Sequence, residues 1–362
     1  MEIKFDPKIT ELLEFFKLNN IDVYLVGGYL RDYLSNKECF DLDFSLVSSY
    51  KEALSILKNK YDVSYIDEYG CIKFELDEYE IEITHARKER EYLDYRHPYE
   101  IEFVTDIKED YLRRDFSINA LYYKDGNIYD FCNGLEDLKN KKLTVIGDTL
   151  TRFKEDPLRI LRMIRFSGLD FDISKEDKQI ILDHVYLLNE LTESAFNKEF
   201  DKILMMNNLY IINEYKDLFE AHFEMKMNNI IVLDRLTSLE EKKTYLNIKN
   251  KSNIYKYRDL KIPTDKVEIN KLIYKYGKDL IKELIEYKDK VELLSLGSIY
   301  NEIIEYGYYS KKDLNIKAEE IIEITKKQEL TSYYIDMLSY EIIKGNLKNS
   351  YGELKEYLER LI

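Results

Sequence analysis

Residues 24–46 read YLVGGYLRDYLSNKECFDLDFSL. In Asp41-Leu42-Asp43 two carboxylates stand two residues apart, and on a strand residues i and i+2 project to one face. Side by side they repel each other, so the pair is stable mainly with cations between them. Hard divalent cations such as Mg2+ prefer oxygen ligands of this kind. Two metals held there would activate an attacking hydroxyl and stabilise a leaving phosphate oxygen. Leu42 and Phe44 would then turn the other way, into a core. Taken alone, a solvated strand with two surface aspartates has the same pattern.

Gly27-Gly28 ends the preceding apolar run. Glycines after a strand let backbone N–H groups approach a phosphate closely, and the following helix presents its positive end. Arg31 can hold a phosphate oxygen, or simply pair with Asp32 on the surface. No G-K-[ST] follows, and the spacing is not G-x-G-x-x-G. Glycines plus D-x-D on the next strand predict a nucleoside triphosphate bound with metal.

The elements that must hold these residues alternate in type over the first 140 positions. Ile9–Phe16, Tyr29–Leu34 and Ser49–Lys60 have helical periodicity; Val23–Val26, Asp41–Val47 and Asn127–Phe131 are strand-like. Cys71–Leu76 and Glu80–Thr84 form a hairpin turning at Asp77-Glu78, and Asp115–Tyr122 is expected to be a helix. Beyond about residue 145 the strand signals stop and apolar periodicity indicates helices to the end. The fold class is therefore α+β: a head with a mixed β-sheet and helices, then an all-α C-terminal half. The expected divisions are 1–140 for the head, 141–208 for a helical neck and 209–362 for a helical body and tail.

Bulk properties narrow the class further. The 362 residues carry a net charge of −15, so a nucleic-acid partner needs a segregated basic surface or bound metal ions. No apolar run is long enough for a membrane span, and an acidic N-terminus does not suit a secretion signal. Three scattered cysteines and four scattered histidines fit neither a disulfide framework nor a zinc site, and point to a reducing cytoplasm. Oligomeric state is not legible.

The ordered set GG-x-x-RD, D-x-DF, RRDFSINAL (113–121) and EDPLRILRMIRF (155–166) resembles class II tRNA nucleotidyltransferases and bacterial poly(A) polymerases of the DNA polymerase β superfamily. DYRHPYEIEFV (94–104), YDFCNGLEDL (129–138) and IGD (146–148) agree with it. The resemblance covers roughly residues 20–170. It implies that Asp41 and Asp43 are catalytic carboxylates binding two Mg2+ ions, and that Gly27, Gly28 and Arg31 hold the triphosphate. Superfamily members often have a third carboxylate on a later strand; Glu82 is the best placed, with Glu80 on the same face as its rival.

In RRDFSINAL, Asp115 and Asn119 would share a helix face. Asp115 alone would read as an N-cap; beside the resemblance it is expected to contact the ribose 2′-OH, with Arg114 and Asn119 steadying sugar and triphosphate. Asp156-Pro157 is a good helix start, Asp capping and Pro at the first position. That does not explain Arg159 three residues on. Aspartate only accepts hydrogen bonds and arginine only donates, so the two match cytosine (N4 donor; N3 and O2 acceptors) or adenine (N6 donor; N1 acceptor). Uracil and guanine would leave buried groups unpaired, which discriminates strongly. The pair thus reads as a protein template for CTP and ATP, the role the resemblance assigns to this motif. Arg162 continues the face, either supporting Arg159 or touching phosphate. Asp94, Arg96 and Pro98 match the flank of a flexible loop that family members use in switching from C to A.

From Lys242 to Lys278 there are 11 basic residues against 3 acidic, with tyrosines interleaved. This is the candidate tRNA-contacting segment, with Lys249, Lys251, Lys256 and Arg258 as its RNA-binding residues; solvated helix faces give the same charge run. ESAFNKEFDKIL (193–204) lacks the arginine common in the family after the neck, and Thr144 stands where an arginine is common. No histidine-aspartate hydrolase motif is present. The expected activity is addition of CCA to tRNA 3′ ends from CTP and ATP without a nucleic-acid template. A CC-adding or A-adding specialist and a poly(A) polymerase share the chemistry. A catalytically silent RNA-binding protein and a nucleotide-sensing regulator are the readings of another class.

Overall fold

The structure is a computed structural model that describes residues 3–92, 98–207, 209–223, 230–307 and 310–362. The chain divides into two compact units, Met1–Lys226 and Met227–Ile362. No described helix is long and apolar enough to cross a membrane.

The first unit opens with α1 (Pro7–Leu18). Asp6 caps it by accepting the Lys8 N–H at 2.9 Å, and Pro7 takes the first position, where its missing N–H costs nothing. Ile9, Leu12 and Phe16 are its buried stripe. β1 (Val23–Val26), α2 (Gly28–Leu34), β2 (Asp41–Leu46) and α3 (Tyr50–Lys58) follow, then β3 (Ser64–Ile66), β4 (Cys71–Leu76) and β5 (Tyr79–His85). β6 (Arg87–Tyr92) and β7 (Pro98–Phe103) form a separate two-stranded ribbon. After the short helix α4 (Ile107–Asp110) come β8 (Leu121–Lys124), β9 (Asn127–Asp130) and α5 (Gly134–Lys139). The main sheet runs β3-β4-β5-β2-β1-β8-β9. β2 pairs with β5 in parallel, and the β4–β5 hairpin turns at Asp77-Glu78 as the sequence indicates.

Strand β2 has two unlike faces. Leu42, Phe44 and Leu46 are buried with Ile9, Leu12 and Phe16 of α1 in one core. Asp41, Asp43 and Ser45 occupy the other face, as the period of two requires.

One expected element is absent. Asp115–Tyr122 is not a helix: a 3-10 turn at Ser117–Asn119 leads directly into β8. Phe116, Ile118 and Leu121 are all fully buried, so their spacing mimics a helix stripe. Pairing of Leu25 with Tyr123 and Val26 with Tyr122 holds the segment extended instead.

Helices complete this unit: α6 (Thr149–Glu155), α7 (Leu158–Ser167), α8 (Lys175–Asp183), α9 (Glu193–Leu204), α10 (Tyr210–Glu214) and α11 (Lys216–Phe223). The second unit is helical: α12 (Leu239–Tyr245), α13 (Asn253–Lys256), α14 (Lys266–Tyr276), α15 (Lys278–Glu292), α16 (Leu296–Tyr306), α17 (Ala318–Thr325), α18 (Thr331–Ile343) and α19 (Tyr351–Glu359). It has two cores, one around Ile269, Ile281 and Leu296 and one around Ile321, Leu338 and Leu354.

Candidate active site

The aspartate face of β2 lies beside β5 in register, Asp41 next to Glu80 and Asp43 next to Glu82. Together they line a cleft of about 880 Å3 with Lys73 of β4. Burial pushes the Asp43 carboxyl up to about 6; Glu82 and Asp41 add repulsion and Arg114 opposes them. A carboxylate crowded by like charges in a half-dry setting is a donor that a hard cation relieves. Glu82 is already engaged. Lys73 Nζ reaches its Oε2 at 2.5 Å, and its Oε1 accepts from Thr84 Oγ1 at 3.3 Å. Burial acts to raise the Glu82 carboxyl, but Lys73 outweighs it and holds the group below its ordinary value. Among the described residues no three His, Cys, Asp or Glu side chains are arranged to hold a metal ion. Asp41 and Asp43 fit a cation as a pair, with other ligands to come from substrate or water.

Gly27 joins β1 to α2 with φ +82° and ψ −147°, a conformation nearly confined to glycine. A Cβ there would lie 2.7 Å from Asp43 Oδ2. The room this glycine creates is thus filled by the Asp43 carboxylate itself, a reason for glycine that the phosphate-turn pattern does not contain. Gly27→Ala is expected to cost about 1–3 kcal/mol of strain and to displace Asp43. Thermal unfolding together with single-turnover nucleotide incorporation checks this; a variant with wild-type rates would refute it.

Gly28 follows, where a Cβ would sit 3.6 Å from Arg31 Nη2. Arg31 makes a two-pronged pair with Asp32, Nε to Oδ1 at 2.8 Å and Nη2 to Oδ2 at 2.6 Å. Its Nη1 donates to Asn119 Oδ1 at 2.7 Å, and its guanidinium lies 5.0 Å from the Phe166 ring centroid.

The chain of contacts continues to the second motif. Asn119 Nδ2 donates to Asp115 Oδ1 at 3.0 Å, and Asp115 Oδ2 accepts from Arg162 Nε at 2.6 Å. Asp115 and Asn119 therefore meet although no helix joins them. Asp115 does not cap a helix; its Oδ1 accepts the adjacent Phe116 N–H at 2.8 Å. Burial works against its charge, yet Arg162 and Asn119 hold its carboxyl down at about 2. Arg31, Asn119, Asp115 and Arg162 form one polar strip running from the glycine turn to α7.

Helix α7 begins one residue later than expected. Pro157 precedes it, and Asp156 Oδ1 accepts the Leu158 N–H at 3.0 Å. Arg159 is buried. Its Nη1 donates to the Arg152 carbonyl and to Glu155 Oε2, both at 3.0 Å, and its Nη2 to the Arg113 carbonyl at 3.2 Å. Two of its five N–H groups have no hydrogen-bond partner among the described residues.

Arg114 is fixed from several sides: its Nε meets Tyr122 Oη at 2.9 Å and its Nη2 meets Ser45 Oγ at 3.0 Å. Its positive charge opposes the burial shift of Asp43. Ser45, Tyr122 and the buried Asp110 were not picked out by sequence reading. The one available signal was the i+3 and i+4 spacing of Arg113 and Arg114 from Asp110. Thr144 is half-buried, and its buried Oγ1 has no hydrogen-bond partner among the described residues. Asp94 and Arg96 lie outside the described residues, as does the side chain of Pro98.

In the second unit, Lys249, Lys251 and Lys256 are exposed. Arg258 is half-buried over the Tyr255 ring at 4.1 Å and donates to the Tyr255 carbonyl. Lys242, counted in the basic run, is buried and so leaves the surface set. A cleft of about 600 Å3 in this unit gathers Lys261, Lys271, Lys275 and Lys288. Lys271 pairs with Glu268 and Lys288 with Glu292; among the described residues Lys261 and Lys275 have no carboxylate partner.

Comparison with known proteins gives a consistent set of likenesses. Residues 23–144 match the poly A polymerase head domain. The CCA-adding enzyme of Staphylococcus haemolyticus is 30% identical over 93% of this chain and 94% of its own length. That of Streptococcus uberis is 29% identical over 97% and 96%. In fold, the chain is similar to the crystal structure of the Bacillus stearothermophilus CCA-adding enzyme in complex with CTP, with a TM-score of 0.69, 19% identity and 99% and 98% of the two chains covered. It is also similar to the Thermotoga maritima CCA-adding enzyme complexed with tRNA, with a TM-score of 0.64, 19% identity and 99% and 97% covered.

Proposed function

The chain belongs to the family of CCA-adding enzymes, and on that premise we propose that it adds C, C and A to tRNA 3′ ends from CTP and ATP without a nucleic-acid template. The observation that carries the proposal is the Asp41/Asp43 face of β2, packed against Gly27 and lying beside Glu82. The terminal tRNA hydroxyl attacks the α-phosphorus of the nucleotide. The new P–O bond forms as the bond to the bridging oxygen breaks, pyrophosphate leaves and the hydroxyl proton is released. Mg2+ ions held by Asp41 and Asp43 would lower the pKa of that hydroxyl and neutralise the triphosphate. Glu82 is the third carboxylate, reached by opening its ion pair with Lys73.

The roles of the other residues extend this reading. Gly27, Gly28 and Arg31 border the triphosphate, with Arg114. Asp115 accepts the ribose 2′-OH, its charge kept by Arg162, and Asn119 fixes it from the other side. Asp156 and the two free donors of Arg159 meet the base edge. The head (1–140) performs the transfer, the neck (141–208) reads the base and the remainder (209–362) holds tRNA. The three unpaired cysteines suit the cytoplasm, where we place the enzyme.

The test uses the purified protein, Mg2+ and tRNA transcripts ending before CCA, after C and after CC. Growth to CCA on all three is expected. A stop at CC, A added only to the CC end, or unlimited A addition would each replace the proposal with the corresponding specialist. Incorporation that survives loss of both Asp41 and Asp43 would remove its basis.

For tRNA binding, Lys261 and Lys275 join Lys249, Lys251, Lys256 and Arg258 as phosphate contacts. Lys261→Glu and Lys275→Glu are each expected to weaken tRNA binding and to reduce the slope of log K against log salt by about 1. CTP affinity should not change. Filter binding across a salt series decides it; an unaltered slope would exclude the cleft.

A further inference from the structure

Asp110 ends α4 and is fully buried. Its Oδ2 accepts from Ser45 Oγ at 3.1 Å, from Tyr122 Oη at 2.9 Å, and from Arg114 Nε and Nη2 at 3.2 and 3.1 Å. Its Oδ1 accepts from Arg113 Nε at 2.7 Å and from the Arg87 N–H at 3.3 Å. Burial would raise this carboxyl, but Arg113 and Arg114 hold it below the usual carboxylate range. A carboxylate this dry is tolerable only with its lone pairs met and its charge matched. Both conditions are fulfilled, so the group stays charged with no route to substrate.

The use of that charge lies in where its partners are. Ser45 is two residues beyond Asp43 on the same face of β2. Arg114 is clamped between Ser45, Tyr122 and Asp110 through Nε and Nη2, leaving Nη1 without a partner among the described residues. The clamp thus fixes the one arginine whose charge opposes the burial of Asp43, and presents its remaining nitrogen. An unsupported arginine on a long stem would lose that orientation, and immobilising a rotamer-rich side chain on binding costs affinity.

We propose that Asp110 is a positioning residue for nucleotide transfer, which holds Arg114 ready for the anionic part of the incoming nucleoside triphosphate. This rests on the reading of Arg114 as a nucleotide ligand. Because the contact is remote from the base, Asp110 serves CTP and ATP alike.

The test is a double-mutant cycle in the full-length protein, with single-turnover kcat and KM measured for CTP and ATP. Asp110→Asn is expected to lower kcat/KM for both nucleotides by a common factor of about 10–100, the scale seen when a group that orients a metal-binding side chain is lost. Selectivity over UTP and tRNA affinity should not move. In an Arg114→Ala background the same change should cost nothing further. Additive losses would show that Asp110 only supports the fold and would overturn the proposal. So would a wild-type Asp110→Asn in a protein that Arg114→Ala inactivates. A fully active Arg114→Ala would instead show that the reading of Arg114 itself has failed, and the proposal with it. If Asp110→Asn does not fold, Tyr122→Phe and Ser45→Ala each remove a hydroxyl that bridges Asp110 and Arg114 in the same clamp. Each should then show the same non-additivity with Arg114→Ala, and additivity there would overturn the proposal.

Discussion

Asp43→Ala is expected to reduce nucleotide incorporation by about a thousandfold or more, the scale of several kcal/mol of lost charge stabilisation. Asp43 is the deeper of the two aspartates, and the neighbouring carboxylates of Asp41 and Glu82 disfavour its charge. Removing it should therefore not lower the melting temperature, since Leu42 and Phe44 on the opposite face keep the core intact. Asp43→Asn preserves shape and loses charge, and should be equally inactive. tRNA affinity should be unchanged in both variants. Single-turnover primer extension beside thermal unfolding separates chemistry from folding. Incorporation within tenfold of wild type, in a folded variant, would sink the assignment.

The second large effect is on base choice. Asp156→Ala is expected to raise incorporation of UTP and GTP relative to CTP and ATP by about a hundredfold or more, because a site built on hydrogen bonds discriminates chiefly through the groups a wrong base leaves unpaired. The lost contact to the Leu158 N–H costs about 1 kcal/mol of helix capping, which leaves a foldable protein. Arg159→Ala is a less clean probe. Its guanidinium joins the Arg152 and Arg113 carbonyls and Glu155 inside the protein, so its removal also leaves buried acceptors unsatisfied. Competition assays with paired nucleotides on a tRNA ending in CC measure the effect. A soluble Asp156→Ala with normal selectivity would show that the base is read elsewhere.

The sequence carried most of what is set locally. Alternation along Asp41–Leu46 separated acid from core, and the hairpin at Asp77-Glu78 followed from its turn. Both need only near neighbours. The segment from Asp115 failed because Phe116, Ile118 and Leu121 are buried by tertiary pairing with β1, and no local pattern distinguishes that from a helix stripe. The same limit hid Asp110. In KEDYLRRD it reads as one more charge on a surface, and only the fold brings Ser45 and Tyr122 to it. Lys242 shows the converse: a lysine counted toward a basic face that the structure buries. The approach of Asp43 to Gly27 was likewise invisible, although both residues were singled out, because it depends on the register of β1 against β2.

The strand that bears Asp41 and Asp43 is the fourth of seven in the sheet, with hydrogen-bonded neighbours on both sides. From Asp43 to Leu46 it is laddered on both sides, to β1 and to β5, so local opening there requires both ladders to give way. The proposed metal-binding pair thus has its deeper member, Asp43, on a segment held from both sides. Successive cycles on a lengthening 3′ end would then shift the growing strand and the nucleotide-facing side chains, while the carboxylates keep one fixed frame throughout.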